Sequence, residues 1–485
     1  MNPSLTAIRD GLGSFHASEN KRNTTLFMQK QNTSVTGETR RNFLKKTTVA
    51  GAAVAATGIL KSPVYGQNTA PSTGQVLGAN DQIRVAVVGV GFGIGKNHLE
   101  GIYKYAGENN VQIVAACDVF SKRRDWAKEK AALKDADLYT DYRKLLERKD
   151  VDAVVVATPD VWHANIACEA MEAGKHVYCE KPMTRYLGEA FRVYDTVKKT
   201  GMIFQVGSQG CSAGGWHKAA ELIQGGKIGQ LIWSQGYYCR NNPKGEWNYA
   251  IEAESTAENI DWEMWLGGVK KRVPFNADHF HRWRKYYPYC GGLLGDLVPH
   301  RLHPLMLASG KPEFPVRVVS IGSKNVHSDK NTPGTPERDV PEHVQLTAEF
   351  PSGYMLTVTC STVNAKSPGF VIYGHKATLN IADQGQSLEL LPERDFTEDI
   401  DPASFKGLQP EDIRVHEKNW FDCIRANKQP NAGIDLAIRV QTVISLAEMS
   451  ERLKMVCLFD DKNRKITDGN GKEVTPLTYG SLELS

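Results

Sequence analysis

The nine cysteines contain no Cys-x-x-Cys pair; they stand at positions 117, 168, 179, 211, 239, 290, 360, 423 and 457, scattered and odd in number. That speaks against the usual zinc spacings and a disulfide framework, and leaves most of the thiols as small core side chains. No metal site is expected. A surplus of one charge is missing as well. The formal net charge of +4 arises within residues 1–66, which hold 9 Lys/Arg against 3 Asp/Glu and leave 50 basic and 52 acidic residues to the rest. No basic surface remains for nucleic acid or an anionic membrane. A long hydrophobic run near the N-terminus is lacking too: Thr47–Leu60 offers 14 weakly apolar residues, short of the roughly 20 that a membrane span requires. No internal repeat is present. What is there is ordinary for a folded chain, 485 residues at 41% hydrophobic content, with room for two domains and extras.

Thr39-Arg40-Arg41-Asn42-Phe43-Leu44-Lys45-Lys46 precedes that run rich in Ala, Gly and Val. A charged n-region, a short apolar stretch and a small-residue cut site define a secretory signal. The adjacent arginines make this one similar to a twin-arginine signal. Val64-Tyr65-Gly66 before Gln67 is the candidate cleavage site, and a start at Met28 would give an n-region of ordinary length. The expectation is an exported, periplasmic protein that engages the twin-arginine export machinery already folded, with any cofactor loaded beforehand and no stable membrane span after cleavage.

Residues 67–80 read as a polar linker carrying Pro71, Gly74 and Gly78. Beyond it, Ile83–Val88, Val111–Cys117, Val151–Ala157, Lys175–Cys179 and Met202–Val206 are apolar strand patterns. They alternate with helical segments from Lys96, over Ala164–Ala173 and over Leu187–Lys199. That alternation predicts an α/β domain with a doubly wound parallel sheet over 81–206. The pattern then changes. Leu231–Tyr238, Val316–Ser323, Val344–Phe350, Tyr354–Ser361 and Phe370–Ile381 follow one another as strands, with Pro351-Ser352-Gly353 a hairpin turn between two of them. A second, α+β domain with an open, mainly antiparallel sheet is expected over 207–460, closed by helices within 415–453, with 461–485 as a C-terminal tail.

Gly89-Val90-Gly91-Phe92-Gly93-Ile94-Gly95 lies directly after the first strand and before a helix. Glycines there let the backbone approach a pyrophosphate and let a helix N-terminus aim its free N–H groups at it. The usual third glycine position holds Ile94, with Gly93 and Gly95 beside it. Asp118 ends the second strand, 29 residues after Gly89. A carboxylate there accepts hydrogen bonds from a ribose and repels a 2′-phosphate, which favours NAD over NADP. Lys122, Arg123 and Arg124 follow closely enough to reach a phosphate, so NADP stays open; Asp118 also suits a helix cap. Thr158, Pro159 and His163, after the third strand, are candidates to border the cofactor. Glu180-Lys181-Pro182 puts a lysine at the carboxyl end of the fourth strand, the edge where open parallel sheets bind ligands.

Asp296 and His300, four apart in Gly291–His300, share a face if the segment is helical. An imidazole oriented by a carboxylate suits the removal of a hydroxyl proton while hydride leaves carbon. Spacing alone equally allows Asp296 to cap a helix and His300 to pack. Asp261–Gly267 and His281-Arg282-Trp283-Arg284 bring aromatic faces and forked donors of the kind a sugar pocket uses, or that a core or subunit interface would hold.

Together these motifs resemble the glucose–fructose oxidoreductase/inositol dehydrogenase/MocA (Gfo/Idh/MocA) family over roughly residues 81–460. The resemblance runs through the Gly89 turn, Ala157–His163, Glu180-Lys181-Pro182, Gly207-Ser208-Gln209, Asp261–Gly267, Gly291–His300, Gly374–Ala377, His416–Cys423 and Lys428–Asn431. It implies a Rossmann domain, an open-sheet domain and homo-oligomers formed through that sheet. It also implies Lys181, Asp296 and His300 as catalytic residues and a cis Lys181–Pro182 bond. The cofactor contacts it implies are Gly89, Gly91, Phe92, Gly93, Ile94, Asp118, Thr158, Pro159, His163, Glu180, Lys181 and Gln209. Two departures, Pro299 before the histidine and His303 where the family usually has aspartate, bear on the substrate pocket. Arg282, Trp283 and His303 are its candidate contacts. The expected protein is an exported NAD(P)-dependent oxidoreductase acting on CH–OH groups of a sugar, glycoside or polyol, with a retained and recycled cofactor. A redox-neutral NAD-dependent glycosidase and a non-catalytic carbohydrate-binding protein are the alternatives.

Overall fold

Six parallel strands carry the first domain in the order β3-β2-β1-β4-β5-β6, in a computed structural model that describes residues 82–91, 93–327 and 337–482. The expected export signal with its candidate cut site, the expected linker and Phe92 lie outside the described residues. The strands are β1 Ile83–Val88, β2 Val111–Cys117, β3 Leu138–Tyr139, β4 Ala153–Val156, β5 His176–Glu180 and β6 Phe204–Gly207. β1 and β4 are apolar along nearly their whole length because helices cover the sheet on both faces. Strand order reverses beside β1, between β2 and β4, and that switch point opens a crevice at the strands' carboxyl ends. The expected helices are present at Ile94–Lys104, Asp160–Glu172 and Leu187–Thr200.

The second domain is built on a ten-stranded sheet in the order β14-β13-β12-β11-β7-β10-β9-β8-β15-β16. Its strands are β7 Leu231–Cys239, β8 Arg317–Ser323, β9 His343–Glu349, β10 Met355–Ser361, β11 Phe370–Gly374, β12 Ala377–Ala382, β13 Ser387–Pro392, β14 Ala403–Phe405, β15 Cys457–Asp460 and β16 Lys465–Thr467. β7 pairs in parallel with β10; the other recorded pairings are antiparallel. Alternate residues of β9 (Val344, Leu346, Ala348) and β10 (Leu356, Val358, Cys360) are buried. This is the two-residue period of a sheet covered on one face. The long helix Ile434–Leu453 packs against the neighbouring strands β8 and β15. The other face is open and carries Ile321, Met355, Leu391 and the stacked Trp233 and Tyr373 rings.

Two expectations change. Phe370–Ile381 is not one strand but a hairpin, β11 and β12. The backbone N–H groups of His375 and Lys376 are drawn to the carbonyls of Gln230 and Ile228, which turns the chain. Residues 461–482 are also built into the fold rather than trailing from it. β16 pairs with β15, and the Tyr479 hydroxyl donates to Glu189 Oε1 at 2.9 Å.

Candidate active site

The crevice at the strand ends is a cavity of about 580 Å³ shared by both domains. Its floor is the glycine turn. A Cβ on Gly95 would lie 2.0 Å from the Gly89 carbonyl oxygen, and one on Gly89, at φ +88°, would lie 2.7 Å from the Ala157 backbone. Both glycines are therefore demanded by close backbone approach. Gly91 and Gly93, by contrast, have nothing within 4 Å of an added Cβ, so the turn presents bare backbone to the cavity. Asp118 straddles the turn: Oδ2 accepts from the Val90 N–H at 3.0 Å and Oδ1 from the Phe120 N–H at 2.9 Å. Burial pushes its carboxyl pKa up, against these two hydrogen bonds. Thr158 lines the same cavity with its buried hydroxyl unpartnered. An exposed glycine backbone, a carboxylate at the end of β2 and an orphaned hydroxyl fit a dinucleotide laid along the crevice.

At the other end Asp296 is the hub. Lys181 Nζ donates to its Oδ1 at 2.6 Å and to its carbonyl at 2.9 Å. Arg284 Nε reaches Oδ1 at 3.0 Å, and the Trp247 indole N–H reaches Oδ2 at 3.3 Å. Burial alone would raise this carboxyl's pKa; the charges of Lys181 and Arg284 outweigh it and hold the pKa far below the carboxylate range. His300 shares the cavity, its ring 5.7 Å from that of Tyr238. Its pKa is pushed well down by burial and by the positive charges of Lys181 and Arg301, so the imidazole is neutral. The Lys181–Pro182 peptide is cis.

The expected pairing of Asp296 with His300 takes the form of a charge interaction, each favouring the other's charged form, rather than of a hydrogen bond. Asp296 ends one short helix, Gly292–Asp296, and His300 begins another, Pro299–Ala308. Between them the Val298 N–H bonds back five residues to Leu293, a wide turn that separates the two helices. The carboxylate oxygens go instead to Lys181, Arg284 and Trp247.

Gly89, Gly91, Gly93, Ile94, Asp118, Thr158, Pro159, Glu180, Lys181, Gln209, Trp283, Asp296 and His300 all line the cavity. Three expected contacts do not. His163 is buried behind it, its ring nitrogens 2.7 Å from the Pro182 carbonyl and 2.9 Å from that of Thr158, so it clasps two cavity segments from the rear. Arg282 is turned to the Tyr249 carbonyl and Asp278. His303 is buried in its helix, with Nδ1 on the Pro299 carbonyl at 3.0 Å. The aromatic stretch divides: Trp265 lines the cavity, while Trp262 stacks behind it at 4.7 Å. Glu180 is engaged from below by the buried His98, whose Nε2 lies 2.9 Å from Glu180 Oε1 and whose Nδ1 lies 2.6 Å from Glu417 Oε1.

Sequence reasoning missed Trp247, Tyr238, His98 and Glu252, which reach the site only through long-range packing. Arg284 and Asp160 lie in stretches singled out along the chain, His281–Arg284 and Ala157–His163, but were given no role of their own. Asp160 is 3% exposed and lines the cavity. Burial pushes its carboxyl up to about 7, aided by repulsion from Asp296 and opposed by Arg284.

A model of the oxidoreductase family with NAD-binding Rossmann fold, Gfo/Idh/MocA, matches residues 83–208, and that of the Gfo/Idh/MocA C-terminal domain matches residues 265–380. Inositol 2-dehydrogenase of Salmonella typhimurium is 31% identical over 231 residues, 47% of this chain and 65% of the relative. A glycosyl hydrolase family 109 protein of Shewanella baltica is 34% identical over 175 residues, 33% of this chain and 37% of the relative. The chain thus spans under two thirds of the length of these curated relatives. A solved levoglucosan dehydrogenase in complex with NADH superposes with a TM-score of 0.60 at 19% identity, covering 78% of this chain and 98% of that one, a likeness of fold.

Proposed function

Since the chain belongs to the Gfo/Idh/MocA oxidoreductases, with their NAD-binding Rossmann domain, we propose that it oxidises or reduces a CH–OH carbon of a sugar, glycoside or polyol. The observation that carries this reading is the convergence of Lys181, Asp296 and His300 in the one cavity that also holds the glycine turn and Asp118. Bound there against Gly89, Gly91, Gly93, Ile94, Asp118 and Thr158, a nicotinamide dinucleotide would supply hydride acceptance or donation. The chain's own side chains manage the proton. Lys181 has three N–H donors and gives two to Asp296, which leaves the third for the reacting oxygen. Asp296, gripped also by Arg284 and Trp247, fixes that lysine in place. His300 is neutral and so takes the hydroxyl proton in oxidation or returns it in reduction. Trp283, Tyr238 and Tyr249 offer flat faces around the substrate space.

A second reading, redox-neutral cleavage of a glycoside, is favoured by one observation beyond the family 109 relative. Elimination of a glycosidic group requires a further proton-holding residue, and Asp160, with its pKa near neutrality, stands beside Lys181 and Asp296. The Arg40-Arg41 segment supports export, and export in turn favours a cofactor that is retained and recycled. The apolar open face of the second sheet supports homo-oligomers. Denaturing purified protein should release NAD into the supernatant. Purified protein should then turn over a panel of inositols and glycosides, with NADH formed by a dehydrogenase, and aglycone released without net NADH by a glycosidase. Undiminished turnover by Lys181→Ala or His300→Asn would overturn the assigned roles, and absence of any turnover or bound nucleotide would favour a non-catalytic binding protein.

A further inference from the structure

The turn after β2 presents a contradiction. Lys122, Arg123 and Arg124 follow Asp118 four to six residues on, where a cationic side chain ordinarily accommodates a 2′-phosphate. In the folded chain all three are engaged. Arg124 Nη1 donates to the Asp118 carbonyl at 2.6 Å. Arg123, 3% exposed, makes a close ion pair with Glu252. Lys122 Nζ lies 3.1 Å from Glu252 and 3.2 Å from Glu254. Both acids come from the second domain, on the irregular segment 240–261. That segment is laid along the β2 turn as a strap: the Ser121 N–H donates to the Asn259 carbonyl at 3.0 Å, the Asp261 N–H donates to the Val119 carbonyl at 3.1 Å, and Phe120 bridges Ile260. Glu252, Arg123 and Asp118 all line the cavity.

We propose that Glu252 selects the cofactor from across the domain boundary. By pairing with Arg123 and Lys122 it withdraws the two cations that would hold a 2′-phosphate. It also adds a second carboxylate to that of Asp118, so that a phosphate dianion entering here would meet two negative charges. A ribose with free hydroxyls carries no such charge and is accepted. NAD selectivity therefore resides in the docked strap as well as in Asp118. The inference rests on the dinucleotide-binding reading of the crevice and adds the residue that decides between its two forms.

The test is nucleotide affinity, measured by calorimetry on whole protein stripped of nucleotide, for NAD⁺ and NADP⁺ separately. In E252Q, affinity for NADP⁺ should rise about tenfold or more, the worth of one charge-assisted hydrogen bond, while that for NAD⁺ stays within about threefold. Adding Arg123→Ala to E252Q should remove the gain, because the freed guanidinium is what receives the phosphate. An E252Q protein that binds NAD⁺ with an unchanged ratio of the two affinities overturns the proposal. So does a gain that survives loss of Arg123. Wild-type protein that binds neither nucleotide overturns the dinucleotide reading itself, and this inference with it.

Discussion

Replacing His98 by glutamine should remove a stability contribution that depends on pH in a stated direction. His98 is fully buried between Glu180 and Glu417. Burial alone would lower its pKa, but the two carboxylates outweigh that and raise it from 6.5 to about 9. A shift of that size corresponds to about 3 kcal/mol in favour of the folded state. Because the folded pKa lies above the unfolded one, the contribution is complete below pH 6.5 and is lost as pH rises through about 9. The two glutamates respond oppositely. Glu180 is held low despite burial, by His98 and Lys181, whereas burial and repulsion from Glu180 raise Glu417. One imidazolium thus serves two acids. Urea unfolding of wild-type and H98Q protein, followed by tryptophan fluorescence from about pH 6 to about pH 10, measures the difference. It should shrink by about 3 kcal/mol across that range. A wild-type minus H98Q difference that does not vary with pH would refute the reasoning.

Asp296→Asn should cost about 3–5 kcal/mol, because it leaves the buried Lys181 and Arg284 charges without their partner; a shift in urea midpoint worth less than about 1 kcal/mol would contradict the pairing. His300→Asn should lower turnover by about 10²–10⁴ with substrate KM little changed, the usual size of a lost proton-transfer group. Asp160, raised to about 7, binds its proton more tightly folded than unfolded, so stability is lost as pH rises from the ordinary carboxylate range up through that value. D160N should therefore flatten the decline in stability between about pH 4 and pH 7, and should abolish aglycone release if Asp160 serves cleavage. Gly95→Ala should prevent nucleotide binding, seen as no NAD in the denatured supernatant, since its Cβ would collide with the Gly89 carbonyl.

The alternation of strands and helices, the glycine turn after β1, the acid ending β2 and the lysine ending β5 are visible along the chain because each depends on near neighbours. Apolar periodicity, a glycine required by backbone approach and a strand's end are local properties. Asp296 and His300 mark where that legibility stops. Their four-residue spacing suggested a carboxylate that orients the imidazole; the two share the cavity, but the carboxylate oxygens bond to Lys181, Arg284 and Trp247. Phe370–Ile381 failed similarly, since carbonyls at Ile228 and Gln230, far back in sequence, turned a continuous apolar run into a hairpin.

By itself, then, the sequence determined that a parallel α/β crevice would exist and that a glycine turn, Asp118 and Lys181 would stand at its edge. Only the tertiary structure decided what those groups touch. Lys181 meets Asp296 across 115 residues, His98 meets Glu417 across 319, and Arg123 meets Glu252 across 129. Such pairs form when domains dock, with burial penalising any charge left alone and so sorting which partners meet. No local pattern encodes that sorting, and it decides which groups stand beside Lys181 and Arg123.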